Sequence, residues 1–479
     1  MKKIIAFSST LLLIITASCS NVAEIPTSDD GGITNTISSK DASSAAEDDI
    51  VLVYATKGDL TIEEQKLIDS FNEEDNGYFV ETRDYSNYME LDESVSGVLP
   101  EGEGVYKKES ISAMQIQLAQ DVIKGNIDIV SDRTIGLQRF DTFINLDGFA
   151  DLYPFMENDQ EINKTTLNSN VLSLHESNGK LCQLPSFFSI DTLLGPSEFV
   201  GEQENWSVDD FIDCWNKMPV GSTIDGKTTK EYVYFIILRQ QLSSFVSYID
   251  GRVAFDSPEF IRLLEFCNSF DGTSDYLGER DWKSASMVSH VILHGFNDYH
   301  LRNWNEKNEK YTYVGYPSSN GKGAILSTAG NRMAICANSP ADKQLGAWMF
   351  IKKYVSKDYQ SQHYIEYDEK HDVYGEERGF PVNNIVYQEM ASKAMKGSFS
   401  DSSVSFNGIQ KEVGYLTEEE LNRLNKYVDS VGTLYTSIDD SLKEIVEEEV
   451  FAYFNGEKTA DEAAAIIQNR AELLVSERT

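Results

Sequence analysis

The sequence predicts an α/β fold, and three stretches near its start predict it. Ile50-Val51-Leu52-Val53-Tyr54-Ala55 is a continuous apolar run, the pattern of a strand buried on both faces of a parallel sheet. Thr61 with Glu64 three residues later forms a capping box that opens a helix, and Leu67, Ile68 and Phe71 give that helix its buried stripe. Phe79–Thr82 reads as a second strand, a helix follows around Ser112–Lys124, and Ile127–Val130 reads as a third strand. Strand, helix, strand, helix, strand is the repeating unit of an α/β domain with right-handed crossovers.

The later elements keep the same alternation. Gly179–Pro185 contains a further strand, and Ser207 with Asp210 caps a helix carrying Phe211, Ile212, Trp215 and Met218 on one face. A helix is expected over Thr229–Leu242, and Asp256-Ser257-Pro258 opens another with proline in its first turn. Tyr311–Pro317 is strand-like. The C-terminal part is helical, with capping boxes at Thr417/Glu420 and Thr459/Glu462.

The chain has 479 residues, 41% of them hydrophobic, enough for two or three domains at roughly 150 residues each. Its 41 Lys+Arg against 78 Asp+Glu give a formal charge of −37, which disfavours nucleic acid and any membrane attachment through a basic patch. Attachment by another route is written at the start. Met1-Lys2-Lys3, the apolar run Ile4–Ile15 and Thr16-Ala17-Ser18-Cys19 are the parts of a secretory signal, too short to span a bilayer. The cysteine after Ala17-Ser18 resembles a bacterial lipobox, with Thr16 departing from the usual aliphatic residue. Residues 1–18 are then a signal peptide, Cys19 a lipid anchor, and 19–49, rich in Ser, Thr, Asp and Ala, a flexible tether.

Cys182, Cys214, Cys267 and Cys336 lie in apolar contexts without a C-x-x-C pair and read as buried free thiols. The six histidines lack metal-ligand spacing with the cysteines; His290 and His294 stand four apart, and a lone pair at helical spacing reads as incidental and not as a ligand set. No metal or cofactor is expected. Gly221–Thr228 matches the phosphate-loop spacing G-x-x-x-x-G-K-[ST]. That chemistry needs a buried strand ending at the first glycine, and here a helix and Pro219-Val220 precede it, so the stretch reads as a helix-entering loop. G-x-S-x-G, H-E-x-x-H and G-x-G-x-x-G do not occur.

On this framework the chain from Ile50 to Glu477 resembles the extracellular solute-binding lipoproteins of ABC importers, in the carbohydrate-binding group related to maltose-binding protein. The resemblance is carried by Ile50–Ala55 with Phe71-Asn72, Lys124–Ile129, Asp151–Phe155, Asn178–Pro185, Phe255–Phe260 and Gly315–Pro317. Asn455–Ala464 with Ile467–Arg470 looks like the family's closing helix; Gly125-Asn126 departs from the Ala-Pro that relatives often carry before the aspartate. The resemblance implies a two-lobed fold of the type II periplasmic-binding-protein kind, with a ligand cleft between lobes joined by hinge crossovers. Lobe 1 would take 50–189 plus 318–358, and lobe 2 190–317 plus 359–479, with hinges near Ser189–Thr192, Tyr313–Pro317 and Val355–Tyr359. It implies a monomeric receptor, anchored by lipid to the outer face of a bacterial membrane. It would hand a carbohydrate, an oligosaccharide in the first instance, to the permease subunits of an importer without covalent chemistry. A receptor for peptide or another non-sugar solute, and a surface glycosidase, are the alternatives.

Sugar capture needs flat aromatic faces and planar polar groups at strand ends. The candidates in the first lobe are Lys57 after the first strand and Asp132-Arg133 after the third, where a similar pair binds sugar hydroxyls in the family. The alternative for Asp132-Arg133 is a local ion pair. Phe188 and Ser189 are candidates at the hinge, with core packing the alternative for Phe187. Asp250, Trp282, Tyr299 and Trp304, together with Tyr248 and Asp298, are the second-lobe candidates, and Arg378 lies on a late loop that faces the cleft in relatives. Trp206 and Trp215 read as core.

Overall fold

The computed structural model describes residues 48–91, 106–202, 205–248, 251–272, 280–281, 284–302, 310–362, 379–397, 403–406, 409–412, 414–436, 438 and 440–476. Cys19, Asp250, Trp282, Trp304 and Arg378 lie outside these residues, as do the leader and most of the tether. No helix among the described residues is long and apolar enough to cross a membrane.

Among the described residues, eleven strands build two sheets. In chain order they are β1 (Ile50–Thr56), β2 (Tyr78–Asp84), β3 (Ile129–Ser131), β4 (Leu184–Pro185), β5 (Phe187–Pro196), β6 (Ser289–Leu293), β7 (Tyr311–Tyr313), β8 (Ile325–Ser327), β9 (Arg332–Ile335), β10 (Phe380–Pro381) and β11 (Thr433–Leu434). The first sheet has the order β2-β1-β3-β9-β4; β1 is parallel to β2 and β3, and β9 is antiparallel to β3 and β4. The second is organised around the long β5, which pairs antiparallel with β6, β7, β8 and β10, while β11 runs parallel to β8. The chain therefore leaves the first sheet at Ser186, returns to it across Thr328–Asn331, and rejoins the second sheet by β10. Tyr311–Tyr313 and β8 both pair with β5, so the return crossing lies beyond Tyr313–Pro317 and beyond residue 318.

Each sheet is covered on both faces. On the first, α1 (Ile62–Asn72) presents Leu67, Ile68 and Phe71 to Leu52, Tyr54 and Val80. Its capping box forms as the sequence predicts: Thr61 Oγ1 accepts from the Glu64 N–H at 3.2 Å and Glu64 Oε2 accepts from the Thr61 N–H at 3.0 Å. The other face packs Val53, Ala55 and Val130 against α2 (Lys108–Lys124) and, beyond the short α3 (Asp132–Ile135), against Phe140, Phe143 and Ile144 of α4 (Leu137–Asn145). In the second sheet Leu193 and Ile325 face α5 (Val208–Asn216), α6 (Pro258–Asn268) and the two C-terminal helices. Ile190, Leu194, Val291 and Leu326 face the opposite way. The capping boxes at Ser207 and Thr417 are present, and the Thr459/Glu462 exchange closes the same way.

Three local predictions are revised. The third strand begins at Ile129, because at Asp128 a side chain takes over a ladder bond: its Oδ2 accepts the Val53 N–H at 2.8 Å, while its own N–H donates to the Val53 carbonyl at 3.0 Å. Phe187–Ser189, read as a segment following a strand, starts β5 instead. The expected Thr229–Leu242 helix is broken into an α turn over Lys230–Val233, a π segment over Tyr234–Leu238 and a 3₁₀ segment over Arg239–Ser244. Gln241 is non-helical there, and its side-chain amide donates to the Ile237 carbonyl.

Cys182, Cys214, Cys267 and Cys336 are free, and burial raises every one of these thiols, Cys182 to about 11, which keeps them unreactive. Trp206 is core, its indole N–H donating to the Gly315 carbonyl at 2.9 Å, and Trp215 packs half-buried on Phe266 and Phe270. At Gly221–Thr228 no strand enters the first glycine. Asp225 (φ 48°) and Gly226 (φ 80°) make a tight turn, the following α segment has four residues, and Lys227 lies over the Tyr232 ring. Such a turn offers no phosphate cradle.

Candidate functional site

In an open α/β sheet ligands bind beyond the carboxyl ends of the strands. On the first lobe this edge carries Lys57, exposed just past β1, and α3, which Ser131 caps at the end of β3. Thr134 Oγ1 donates to the Ala55 carbonyl at 2.9 Å, which fixes α3 beside the end of β1. Arg133 is exposed, with Nη1 3.6 Å from Glu64 Oε2.

Asp132 is not paired with Arg133. It is 3% exposed and spends both oxygens on the return crossing: Oδ2 accepts from the Gly330 N–H at 2.9 Å and from Arg332 Nε at 3.0 Å, and Oδ1 accepts from the Arg332 N–H at 3.2 Å. Arg332 is itself buried and donates through Nη1 to Asp141 Oδ1 at 3.2 Å and to Gln183 Oε1 at 2.7 Å. Burial raises both carboxyl pKa values, and the guanidinium pulls them back only in part. This cluster ties β3, α4 and the crossing together.

The second lobe presents its wall on β5. Period-two alternation puts Phe188, Ile190 and Leu194 on one face, and Ser189, Asp191 and Leu193 on the other. Cross-strand register adds Ser327 opposite Ser189, Ile325 and Ile292 opposite Asp191, and His290 opposite Leu193. Leu193 and Ile325 are fully buried, whereas Ser189, Asp191, His290 and Ser327 are half-buried and Ile292 is exposed. The face is thus open only in the half of β5 that follows Ser186, next to the first lobe.

Asp191 is the centre of this opening. Its Oδ1 accepts from the Tyr316 hydroxyl at 2.6 Å and from His290 Nε2 at 2.8 Å. Oδ2 takes no hydrogen bond among the described residues and is left for another donor. Tyr435 is half-buried beside it; burial and the Asp191 charge raise its phenol, and the same two causes hold the Tyr316 phenol well above the ordinary tyrosine range. With Asp191 bonded to one ring nitrogen of His290, a nucleophilic triad needs a serine or cysteine on the other. None bonds there among the described residues. The arrangement suits binding of hydroxyl groups: one carboxylate, an imidazole, two serine hydroxyls, a tyrosine ring and an aliphatic side chain.

The remaining expectations divide. Ser189 belongs to this wall. Phe188, 1% exposed, is core and stacks on Phe380 with ring centroids 5.3 Å apart. Tyr299 is buried on the other side of the sheet, stacked on Tyr313 at 4.8 Å. Tyr248 is buried, and its carbonyl accepts a hydrogen bond from Asn145 Nδ2, a bond that joins α4 of the first lobe to the second lobe. Asp298 holds Arg302 and the His294 N–H near the start of α7 (Phe296–Arg302). The sequence reading did not single out Asp191, His290 or Tyr435 as ligand-facing. The available signal was the Ser-x-Asp alternation inside Phe187–Leu194, which is otherwise apolar but for the buried Thr192.

No family description and no curated protein matches the chain. Among solved structures, a periplasmic oligogalacturonide-binding protein from Yersinia enterocolitica is similar at a TM-score of 0.55 and 12% identity, over 90% of this chain and all of its own. A de novo designed cysteine esterase is similar at the same TM-score and identity, over 90% of this chain and 99% of its own. An extracellular solute-binding protein of family 1 from Alicyclobacillus acidocaldarius is similar at a TM-score of 0.49 and 13% identity, over 90% of this chain and all of its own. The two likenesses at 0.55 are ones of fold and carry different activities on it. The chain has the two-lobed α/β fold of the periplasmic solute-binding proteins over nearly its whole length.

Proposed function

We propose that this chain is an exported, lipid-anchored receptor of the carbohydrate-binding group related to maltose-binding protein. It captures a carbohydrate between its lobes and delivers it to the permease subunits of an ABC importer. The observation that carries this reading is the half-open polar face of β5, with Asp191 Oδ2 unspent, beside the crossings between the sheets. A hydroxyl-rich ligand is what such a carboxylate, flanked by Tyr435 and Ile292, is equipped to hold. The Yersinia protein of the same fold is described as binding oligogalacturonide, which agrees with a sugar cargo.

The first lobe in this reading is built on β1–β4 and β9, the second on β5–β8, β10 and β11. Arg133 and Lys57 face the β5 wall from the first lobe, and Asp250, Trp282, Trp304 and Arg378 complete the site. Binding proceeds by lobe closure, with no covalent step, and the closed form is what the permease engages. The protein acts as a monomer held by Cys19, with residues 19–49 letting the body stand off the membrane.

Thermal unfolding of the chain without its leader, against mono- and oligosaccharides, peptides and ATP, tests this. A ligand at about 100 times its Kd adds roughly 2.7 kcal/mol and raises Tm. A rise with a sugar recovered intact is the expected result. A rise with peptide alone, or with cleaved sugar, overturns the cargo or the non-catalytic reading respectively.

A further inference from the structure

The first lobe carries an aromatic ring that the proposed site does not use. The chain leaves the first sheet at Ser186, just past the carboxyl end of β4, and rejoins it at Arg332, where β9 starts antiparallel to β3 and β4. Both crossings therefore lie at the edge formed by the carboxyl ends of β1, β2 and β3, and this edge faces the second lobe. There β2 is followed by Tyr85 and a 3₁₀ turn over Ser86–Tyr88. Tyr88 is 48% exposed.

The turn holds this ring in place. Asp84, the last residue of β2, accepts the Gly58 N–H on Oδ1 at 2.8 Å, which ties it to the turn after β1 that carries Lys57. The same oxygen accepts the Ser86 N–H at 2.8 Å, and Oδ2 accepts the Ser86 hydroxyl at 2.6 Å. The Tyr85 N–H donates to the Thr56 carbonyl at 2.9 Å, and the Tyr88 N–H to the Tyr85 carbonyl at 3.2 Å. The Tyr88 ring is stacked on that of Tyr85, with centroids 5.9 Å apart and planes 26° apart. Tyr85 is buried, and its hydroxyl donates to Asp121 Oδ2 of α2 at 2.7 Å. A ring fixed in this way loses little conformational entropy when a ligand covers it. Its flat apolar face suits the C–H side of a pyranose, and Lys57, exposed on the neighbouring turn, adds donors for the hydroxyl groups.

β2 is also the outermost strand. In the order β2-β1-β3-β9-β4 it stands four strand spacings, about 19 Å, from β4, out of which β5 and Asp191 emerge. One pyranose ring does not reach across such a distance, and a chain of several rings does. We infer that Tyr88 is an outer platform of the cleft and that the cargo is an oligosaccharide of about three or more rings, held at one end by the β5 wall and at the other by Tyr88. The inference rests on the carbohydrate reading above and adds to it a residue and a length.

Calorimetric titration of the chain without its leader tests it, with gluco-, xylo-, manno- and galacturono-oligosaccharides, each from the single sugar to the hexamer. Wild type, Tyr88→Ala and Tyr88→Trp are compared. In the series that binds, wild-type affinity is expected to rise with length. Tyr88→Ala should weaken the longest oligomers about tenfold and leave the shortest bound member unchanged, and Tyr88→Trp should restore the loss. Equal affinity of Tyr88→Ala and wild type at every length overturns the platform. So does an equal loss at every length, which marks a general effect on the fold. Both outcomes leave the carbohydrate reading standing, whereas no saturable binding in any series overturns that reading and the inference with it. Should Tyr88→Ala lower Tm, Tyr88→Trp decides: saturation with the longest binding oligomer changes its added indole emission if the ring is covered, and leaves it unchanged if the platform is not used.

Discussion

Asp132 is buried and Asp191 half-buried, and the structure gives the two carboxylates opposite employments. Asp191 has one oxygen engaged by Tyr316 and His290 and the other open. Replacing it by Asn keeps the shape and removes the charge. The expected outcome is sugar affinity lower by about tenfold, the value of a charge-assisted hydrogen bond, with Tm in the absence of sugar nearly unchanged. Titration of the cargo found by thermal shift reads this directly, and unaltered affinity would remove Asp191 from the site. Asp132 is instead consumed by Arg332. Arg332→Met would leave Asp132 and Asp141 buried without a counter-charge, at a cost of about 3–5 kcal/mol, seen in the urea midpoint. An unaltered midpoint would show that the cluster is not holding the crossing. The residue type at the end of β3 was legible in the sequence, but its partner was not, because Arg332 lies 200 positions away. The four free thiols were legible because each sits among apolar neighbours.

At the scale of elements, capping chemistry was the most readable signal. Thr61/Glu64, Ser207/Asp210 and Thr417/Glu420 each close the box the spacing predicts, since these bonds need only residues three apart. β5 was hidden because its pattern mixes two faces, one apolar but for the buried Thr192 and one polar only in its first half. The helix from Ser169 to Leu174 shows how an element can be tied to a crossing by a single ring. His175 follows it; its Nδ1–H donates to the Val171 carbonyl, so Nε2 accepts from Thr328 Oγ1 at 2.8 Å on the return crossing. Burial, and then the Arg332 charge, lower its pKa to about 3. The folded protein holds this ring neutral, whereas the unfolded chain protonates it near 6.5. Stability from His175 is therefore full above about pH 6.5 and falls by roughly 1.4 kcal/mol per pH unit as pH drops towards 3. Asp132 and Asp141, with raised pKa values, push the other way, so the comparison has to be differential. His175→Gln should lose stability at pH 7 and show a shallower decline than the wild type between pH 6.5 and 4 in urea unfolding. Parallel curves would reject the linkage.

At the scale of the whole molecule, one of the apolar clusters among the described residues joins the two sheets. Leu184 and Met333 of the first sheet, Phe188 at the start of β5, and Phe380 of β10 belong to the same cluster, which ties the two sheets together at the crossings. Away from the crossings, Asn145 at the end of α4 reaches the Tyr248 carbonyl in the second lobe. Under the proposed lobe closure this contact belongs to the closed form, and it is made by a side chain outside the β5 wall. A net hydrogen bond contributes about 0.5–1.5 kcal/mol, which changes the ratio of closed to open molecules by about two- to twelvefold. Asn145→Ala should therefore raise the radius of gyration of the unliganded protein in small-angle scattering and leave that of the saturated protein unchanged. If sugar binds the closed form more tightly, the same variant weakens apparent affinity by no more than that factor, because the ligand must now supply the free energy of closure. Tm of the unliganded chain should move little, since both lobe cores are intact. An identical radius and an identical affinity would mean that closure is governed at the crossings alone, and the Arg332 cluster would then be the place to alter it.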